Sequence, residues 1–170
     1  MSTSGKLEPV SKASRGSGPL FDDQFQSVFR AAPIGIGLTT ERILLQVNER
    51  LCQMTGYRRE ELVGHSARIL YPDEAEFERV GKDKYDLIER FGTGTIETRW
   101  QRKDGTVIDV LLSSTPLKEG DLTSGVTFTA LDISDRKQAE ARLRASEEKY
   151  RLLAENTVDA IWLMDLDLTF

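Results

Sequence analysis

The stretch VNERLCQMTGYRREELVG, Val47–Gly64, constrains the fold of this chain most, because the phrase LDISDRKQAEARL, Leu131–Leu143, follows it further on. The first phrase reads as a strand end, a short helix with a glycine stop, and a second short helix. Asn48 is placed to N-cap the helix Glu49–Thr55, its side chain accepting an otherwise orphaned backbone N–H. Gly56 stops that helix as its left-handed C′ residue. Arg59–Val63 adds a turn or two before Gly64. The second phrase reads as a strand running into a charged amphipathic helix. A domain that delivers its last strand straight into a helix is built to pass a conformational signal along the chain.

The remaining segments fill in around these two. Residues 1–19 are rich in Ser, Gly and Lys and hold too few apolar groups to offset the entropy of ordering, so a disordered tail is expected there. Over residues 20–32 a helix is expected, with Phe21, Phe25, Val28 and Phe29 at helical spacing and Pro33 ending it. Ile34–Thr40 and Ile43–Val47 read as strands around a turn at Glu41-Arg42. Asp73 and Glu76 match a capping box for a helix through Phe91, with Phe77, Val80, Tyr85, Ile88 and Phe91 on its buried side. Thr95–Arg102 and Thr106–Leu117 flank Asp104-Gly105, a type I′ hairpin signal. Alternation puts Ile108, Val110 and Leu112 on one face of the second of these strands and Asp109 on the other. A looser turn around Glu119-Gly120-Asp121 leads to a last strand, Gly125–Ile133. The sum is an α+β fold: one five-stranded antiparallel sheet with helices packed on one face, a domain over residues 20–133.

Ser134 is placed to cap the helix that follows, a linker over 134–156. Ala139, Leu143, Ser146, Tyr150 and Leu153 form a short heptad-like seam. So short a coiled coil needs a partner chain or a neighbouring domain. There is also an internal repeat: at a constant offset Phe25 aligns with Tyr150, Val28 with Leu153, Ile36 with Ile161 and Leu38 with Leu163. Residues 157–170 therefore read as the opening strands of a second copy, and the chain as the front of a longer tandem-domain protein.

Bulk composition narrows the function. The chain has 170 residues, 39% of them hydrophobic, a formal net charge of −5 and one cysteine, Cys52. No run approaches the roughly 20 apolar residues that cross a bilayer, and the N-terminus lacks a signal-peptide core. One cysteine excludes an intrachain disulfide and a cysteine zinc cluster. These features favour the cytoplasm. Interspersed acids and bases argue against a nucleic-acid surface. One His and one Cys make no oriented nucleophile–base set, and the carboxylates at 60–61 and 73–76 sit at helix N-termini, where they complement the dipole. No catalytic constellation and no metal site are read here.

Taken in order, these segments resemble a PAS sensor domain from Phe25 to Leu143. Asn48, Thr55-Gly56-Tyr57 and Glu61-Leu62-Val63-Gly64 match its first signature, and Lys103-Asp104-Gly105-Thr106 its hairpin. Asp132-Ile133-Ser134 resembles the D-I-T motif that ends the core, with Arg136-Lys137-Gln138-Ala139-Glu140 as the usual continuation. The resemblance implies a pocket between sheet and helices. It also implies membership of a modular signalling protein such as a histidine kinase, a diguanylate cyclase or a phosphodiesterase, none of whose output domains is read in this sequence. Light-sensing relatives carry a cysteine in the run that is here Gly64-His65-Ser66-Ala67-Arg68-Ile69-Leu70-Tyr71; Ala67 stands in its place, which excludes the covalent flavin adduct. Haem in PAS sensors is commonly held by a His on the long helix, and Asp73–Phe91 contains none. His65 reads as a solvent-facing loop residue and Cys52 as a small buried hydrophobe.

What remains is an apolar pocket for an unspecified small molecule. Ile36, Leu38, Val47, Leu51, Ile69, Phe77, Val80, Trp100, Val110, Leu112 and Phe128 are its candidate lining, with Thr98, Arg99 or Ser114 as polar handles. Asp132, Ile133 and Ser134 form the expected signal-transfer junction. Phe21, Phe25, Val28 and Phe29 in the leading helix, with Leu143, Tyr150 and Leu153 in the linker, are the candidate contacts of a homodimer, the leading helix covering the open sheet face. Two functions compete on this reading: a ligand sensor that signals to a downstream output domain, and a ligand-free dimerisation and relay spacer.

Overall fold

The computed structural model describes residues 19–166, with side chains placed over 23–154. Its order is α1 (Pro19–Ala31), β1 (Gly35–Thr40), β2 (Ile43–Val47), α2 (Glu49–Thr55), α3 (Arg59–Leu62), a 3-10 turn at Ala67–Leu70, α4 (Glu74–Phe91), β3 (Gly94–Gln101), β4 (Val107–Lys118), β5 (Asp121–Asp132) and α5 (Ser134–Leu166). The strands form one antiparallel sheet in the order β2-β1-β5-β4-β3. Helices α2 to α4 cover its inner face, so the fold is α+β as expected.

Asn48 joins four segments. Its Oδ1 accepts the Leu51 N–H at 3.0 Å, which caps α2, and the Ile36 N–H at 2.9 Å. Its Nδ2 donates to the Ile34 carbonyl at 2.9 Å and to that of Phe29, in α1, at 3.1 Å. The residue is fully buried, so both ends of the amide are satisfied by backbone and none by solvent. Gly56 ends α2 at φ 75° with its N–H on the Cys52 carbonyl.

Turn chemistry departs from expectation in two places. The type I′ turn is at Glu41-Arg42, whose φ values of 51° and 64° are both positive, between the paired Thr40 and Ile43. At Asp104-Gly105 only the glycine is left-handed, at φ 89°. Gln101 pairs with Val107 and the Arg102 N–H reaches the Thr106 carbonyl, so the loop has one residue more than a I′ hairpin and closes on its glycine. The β4–β5 connection is also tighter than expected: Lys118 pairs with Asp121, and β5 begins there.

The faces of β1 are the reverse of the expected ones. Gly35, Gly37 and Thr39 point inward, while Ile36 and Leu38 lie half-buried on the outer face. A Cβ at Gly37 would fall within the Phe128 ring, and one at Gly35 would lie 2.7 Å from Leu51 Cδ1. Neighbouring side chains fill the space that β1 leaves open, so glycine is the residue that fits inside.

Along α4 the buried stripe is Phe77, Val80, Gly81, Lys84 and Ile88. Tyr85 is half-buried and Phe91, at the helix end, is 74% exposed. Asp73 caps α4 through the Glu76 N–H, but Glu76 does not return the bond. Its carboxylate accepts from the Thr98 hydroxyl at 2.7 Å and the Arg99 N–H at 3.2 Å, tying α4 to β3.

Helix α5 continues to Leu166, past the expected linker end and over residues read as strands of a second copy, Ile161 and Leu163 among them. A helix closes its own backbone hydrogen bonds, whereas a strand needs a neighbour to take them, and the described residues supply none there. The expected tail at 1–18 and the last residues, 167–170, lie outside the described residues.

Asn48→Ala should lower unfolding free energy by about 2–4 kcal/mol in urea, since it removes a cap and leaves buried backbone groups unpaired. Asn48→Asp keeps the acceptor but sets a carboxylate against two carbonyls, and should be at least as damaging. A loss below about 1 kcal/mol for both would show that the amide does not carry this joint.

Candidate functional site

A cavity of about 30 Å³ opens between the sheet and the α4 side of the domain. Its wall takes Thr39 from β1, Arg42 from the I′ turn, Ala67 and Leu70 from the 3-10 turn with Tyr71 just after it, Phe77 and Lys84 from α4, Trp100 from β3, Leu112 from β4 and Phe128 from β5. Room of this size holds a water or two. Edge-on aromatic contacts set the wall: Tyr71 to Phe77 at 5.3 Å, Tyr71 to Trp100 at 6.2 Å and Trp100 to Phe128 at 6.3 Å between centroids.

Of the expected lining, Phe77, Trp100, Leu112 and Phe128 are present. Val47, Leu51, Val80 and Val110 are buried in the surrounding core, and Ile69 packs against it. Ile36 and Leu38 are on the other face of the sheet. Among the expected polar handles, Thr98 is spent on Glu76 and Arg99 is exposed; Ser114 is buried, and its hydroxyl has no partner.

The charged groups at the cavity are Arg42 and Lys84, which the sequence reading missed. The left-handed backbone at Arg42 throws its guanidinium across α4, where it lies 3.1 Å above the Phe77 ring, donates to the Phe77 carbonyl and meets Glu78 Oε1 at 3.0 Å. Gly81 makes room: a Cβ there would lie 2.9 Å from the guanidinium. Lys84 is only 9% exposed. Among the described residues no carboxylate or hydrogen-bond acceptor pairs with its ammonium, which lies 4.8 Å from the Tyr85 ring. Burial, with the positive charge of Arg42, lowers its pKa to about 8. The spacing Phe77, Val80, Lys84, Ile88 put it on the buried stripe; its residue type hid it. Burial also raises the Tyr71 hydroxyl to about 12, against the pull of the nearby Trp100 indole. The Trp100 Nε1–H is buried without a hydrogen-bond partner of good geometry.

A second cluster sits where β5 becomes α5. Asp132 Oδ1 accepts the Ser134 N–H at 3.0 Å, and its Oδ2 meets Arg102 at 2.9 Å. Partial burial pushes the Asp132 carboxyl up, but the Ser134 bonds and Arg102 outweigh it and hold it below the usual range. Ser134 itself does not cap α5. Its hydroxyl accepts the Asp109 N–H at 2.9 Å, the Asp109 carbonyl takes the Ile133 N–H at 2.9 Å, and Asp109 Oδ1 takes Lys137 Nζ at 3.0 Å. Glu97 of β3 adds Lys137 at 2.9 Å and Arg136 at 3.2 Å. The start of α5 is thus bolted to β3 and β4.

The family profile described as "PAS domain" matches residues 33–135. The chain belongs to the PAS domain family. It is 33% identical over 129 residues to sensor protein TdiS of Thauera aromatica, covering 76% of this chain and 24% of that protein. It is 24% identical over 158 residues to sporulation kinase A of Bacillus subtilis, covering 92% and 25%. The chain thus spans about a quarter of the length of these curated relatives. A solved PAS domain in complex with ethanol, from a LuxR-family transcriptional regulator of Burkholderia thailandensis, superposes with a TM-score of 0.61 at 25% identity, covering 65% of this chain and 97% of that one.

In this PAS domain Ala67 lines the cavity. His65 is exposed on the loop, its Nδ1 3.3 Å from the Val63 carbonyl. Cys52 is buried in the core, and desolvation pushes its thiol up. Phe25 and Phe29 stack at 5.8 Å, yet Phe25 and Val28 are exposed and α1 does not cover the outer face of the sheet, where Leu131 is 45% exposed. Leu143, Tyr150 and Leu153 are also exposed; the Phe21 side chain lies outside the described residues. Among the described residues no helix is long and apolar enough to cross a membrane.

Lys84→Met should stabilise the ligand-free protein at pH 7 by about 2 kcal/mol, because an apolar side chain removes an uncompensated buried charge. The folded pKa is depressed, so the penalty is full below about pH 8 and fades as pH rises toward the unfolded value. The advantage of Lys84→Met should shrink over that window in paired urea titrations. A variant less stable at both ends would mean that Lys84 makes a favourable contact.

Proposed function

We propose that the chain is a cytoplasmic, non-catalytic sensor and relay module. It takes a small molecule in the cavity and passes the binding event through α5 to a downstream output domain, such as a histidine kinase or a cyclic-di-GMP enzyme. The observation that carries this is the sharing of strands between cavity and clamp. Leu112 on the cavity wall and Asp109 on the α5 clamp belong to β4; Trp100 on the wall and Arg102, the partner of Asp132, stand at the end of β3. A ligand that shifts either strand acts directly on the contacts that fix the exit angle of α5. The ethanol in the Burkholderia relative supports a ligand of few heavy atoms.

A ligand-free relay is the second reading, favoured by the exposed seam Leu143, Tyr150 and Leu153 and by the exposed Phe25 and Val28. These side chains suit a second copy of the chain packed along both helices.

A chimera tests the relay. With α5 continued in heptad phase into a dimeric histidine-kinase core, kinase activity should oscillate as residues are inserted into α5, with a period of about 3.5 residues. Asp132→Ala should cost the junction about 1–2 kcal/mol, speed amide exchange in the first turns of α5 and flatten that response. Activity indifferent to both changes would sink the relay.

A further inference from the structure

The cavity has a chemical polarity that the general sensor reading leaves unused. One end is cationic: Lys84 is buried without an anion, and Arg42 beside it is held by Glu78, whose own side chain is 64% exposed. Such an exposed ion pair neutralises little inside the domain. Glu76, the other acid on that side of α4, is committed to Arg79, Thr98 and the Arg99 N–H, which hold it down at about 2. The Trp100 Nε1–H is buried on the same wall, beside the Tyr71 hydroxyl but in no hydrogen bond of good geometry. The remaining wall is apolar, built by Phe77, Leu112 and Phe128. An unpaired buried cation and an unpaired buried N–H both cost stability unless an acceptor joins them.

We propose that the cavity takes a short-chain monocarboxylate, its carboxylate set between Lys84, Arg42 and the Trp100 N–H and its alkyl group against Phe77, Leu112 and Phe128. This rests on the reading of the cavity as a ligand site and names the ligand's class. Charge selects it over an alcohol or amide of the same shape, since a neutral ligand leaves Lys84 unpaired. Any organic acid must widen a space of about 30 Å³, which selects a short chain, and the apolar wall disfavours a phosphate, whose oxygens need donors on every side.

Titrating the purified chain, cleared of carried-over ligand by unfolding and refolding, with sodium propionate is the test. The readouts are the Trp100 indole N–H signal in nitrogen-edited NMR and the melting temperature. Sodium chloride at equal ionic strength, propionamide and 1-propanol are the comparisons. Propionate should shift the indole signal saturably and raise the melting temperature, with no such effect from chloride. Lys84→Met should weaken propionate at least about tenfold, Lys84→Arg should retain part of the affinity, and Trp100→Phe should weaken it while keeping the ring. Equal response to propionamide or propanol, or undiminished propionate binding in Lys84→Met, would overturn the carboxylate assignment and leave a ligand site standing. No saturable response to any of the three organic probes up to tens of millimolar would remove the carboxylate and count against the ligand site as well.

Discussion

One side-chain amide holds this domain together at its most crowded point. Asn48 stands where β2 ends, and its two polar atoms reach the exit of α1, the entry of β1 and the first turn of α2. No other residue type offers two acceptor lone pairs and two donors on so short a stem. Because that amide fixes where β1 starts relative to α2, it also fixes which residues of β1 face inward. Those are Gly35, Gly37 and Thr39, and their lack of bulk lets Phe128 and Leu51 come forward. The cavity is a consequence of that sequence of constraints: it lies beside Phe128 and under the turn that begins one residue after β1.

That turn links shape to charge. Two successive non-glycine residues in left-handed conformation cost roughly 1–2 kcal/mol each, and the fold sustains this at Glu41 and Arg42 because the strands are joined with the right-handed twist that a I′ turn matches. The return is position. The Arg42 guanidinium reaches α4 across the missing side chain of Gly81, the backbone carbonyl of Arg42 accepts the Ala67 N–H at 2.8 Å, and the segment of Gly64 to Ser66 pairs along the outer edge of β2. An edge strand that would otherwise be open is covered, and the 3-10 turn that follows the covering segment supplies Ala67 and Leu70 to the cavity wall.

What was legible in the sequence was the local chemistry. The caps at Asn48 and Asp73, the glycine stops, the five strands and the strand-to-helix junction each depend on residues close together in the chain, and those readings match the fold. The misplaced side chains required knowledge of distant neighbours. Ile36 and Leu38 are the apolar residues of β1, so alternation alone turns them inward; only the Phe128 and Leu51 side chains reverse that choice. Glu76 has the spacing of a capping box, but Thr98 and the Arg99 N–H are better partners than the Asp73 backbone. Lys84 has the periodicity of the core and the composition of the surface, and periodicity proved the better guide. Ser134 is a good cap by type, yet β4 claims its hydroxyl, which makes the junction a joint between strand and helix rather than a simple helix start.

On the proposed sensor function, the size of the cavity bounds how the module can signal. A ligand biases two states only by its difference in affinity between them. The best small ligands gain about 1.5 kcal/mol per heavy atom, so one that fills this space commands only a few kcal/mol in total, and only part of that is differential. Driving a population from about 1:99 to 99:1 takes about 5.5 kcal/mol. If the cavity is the ligand site proposed above, the clamp at α5 must sit near balance before ligand arrives. Its composition suits that requirement: Lys137, Glu97 and Arg136 form partly exposed ion pairs of small net strength, while the Asp109–Ser134 and Asp132–Ser134 bonds set direction. A clamp of buried apolar contacts would hold α5 harder than any occupant of the cavity could move it.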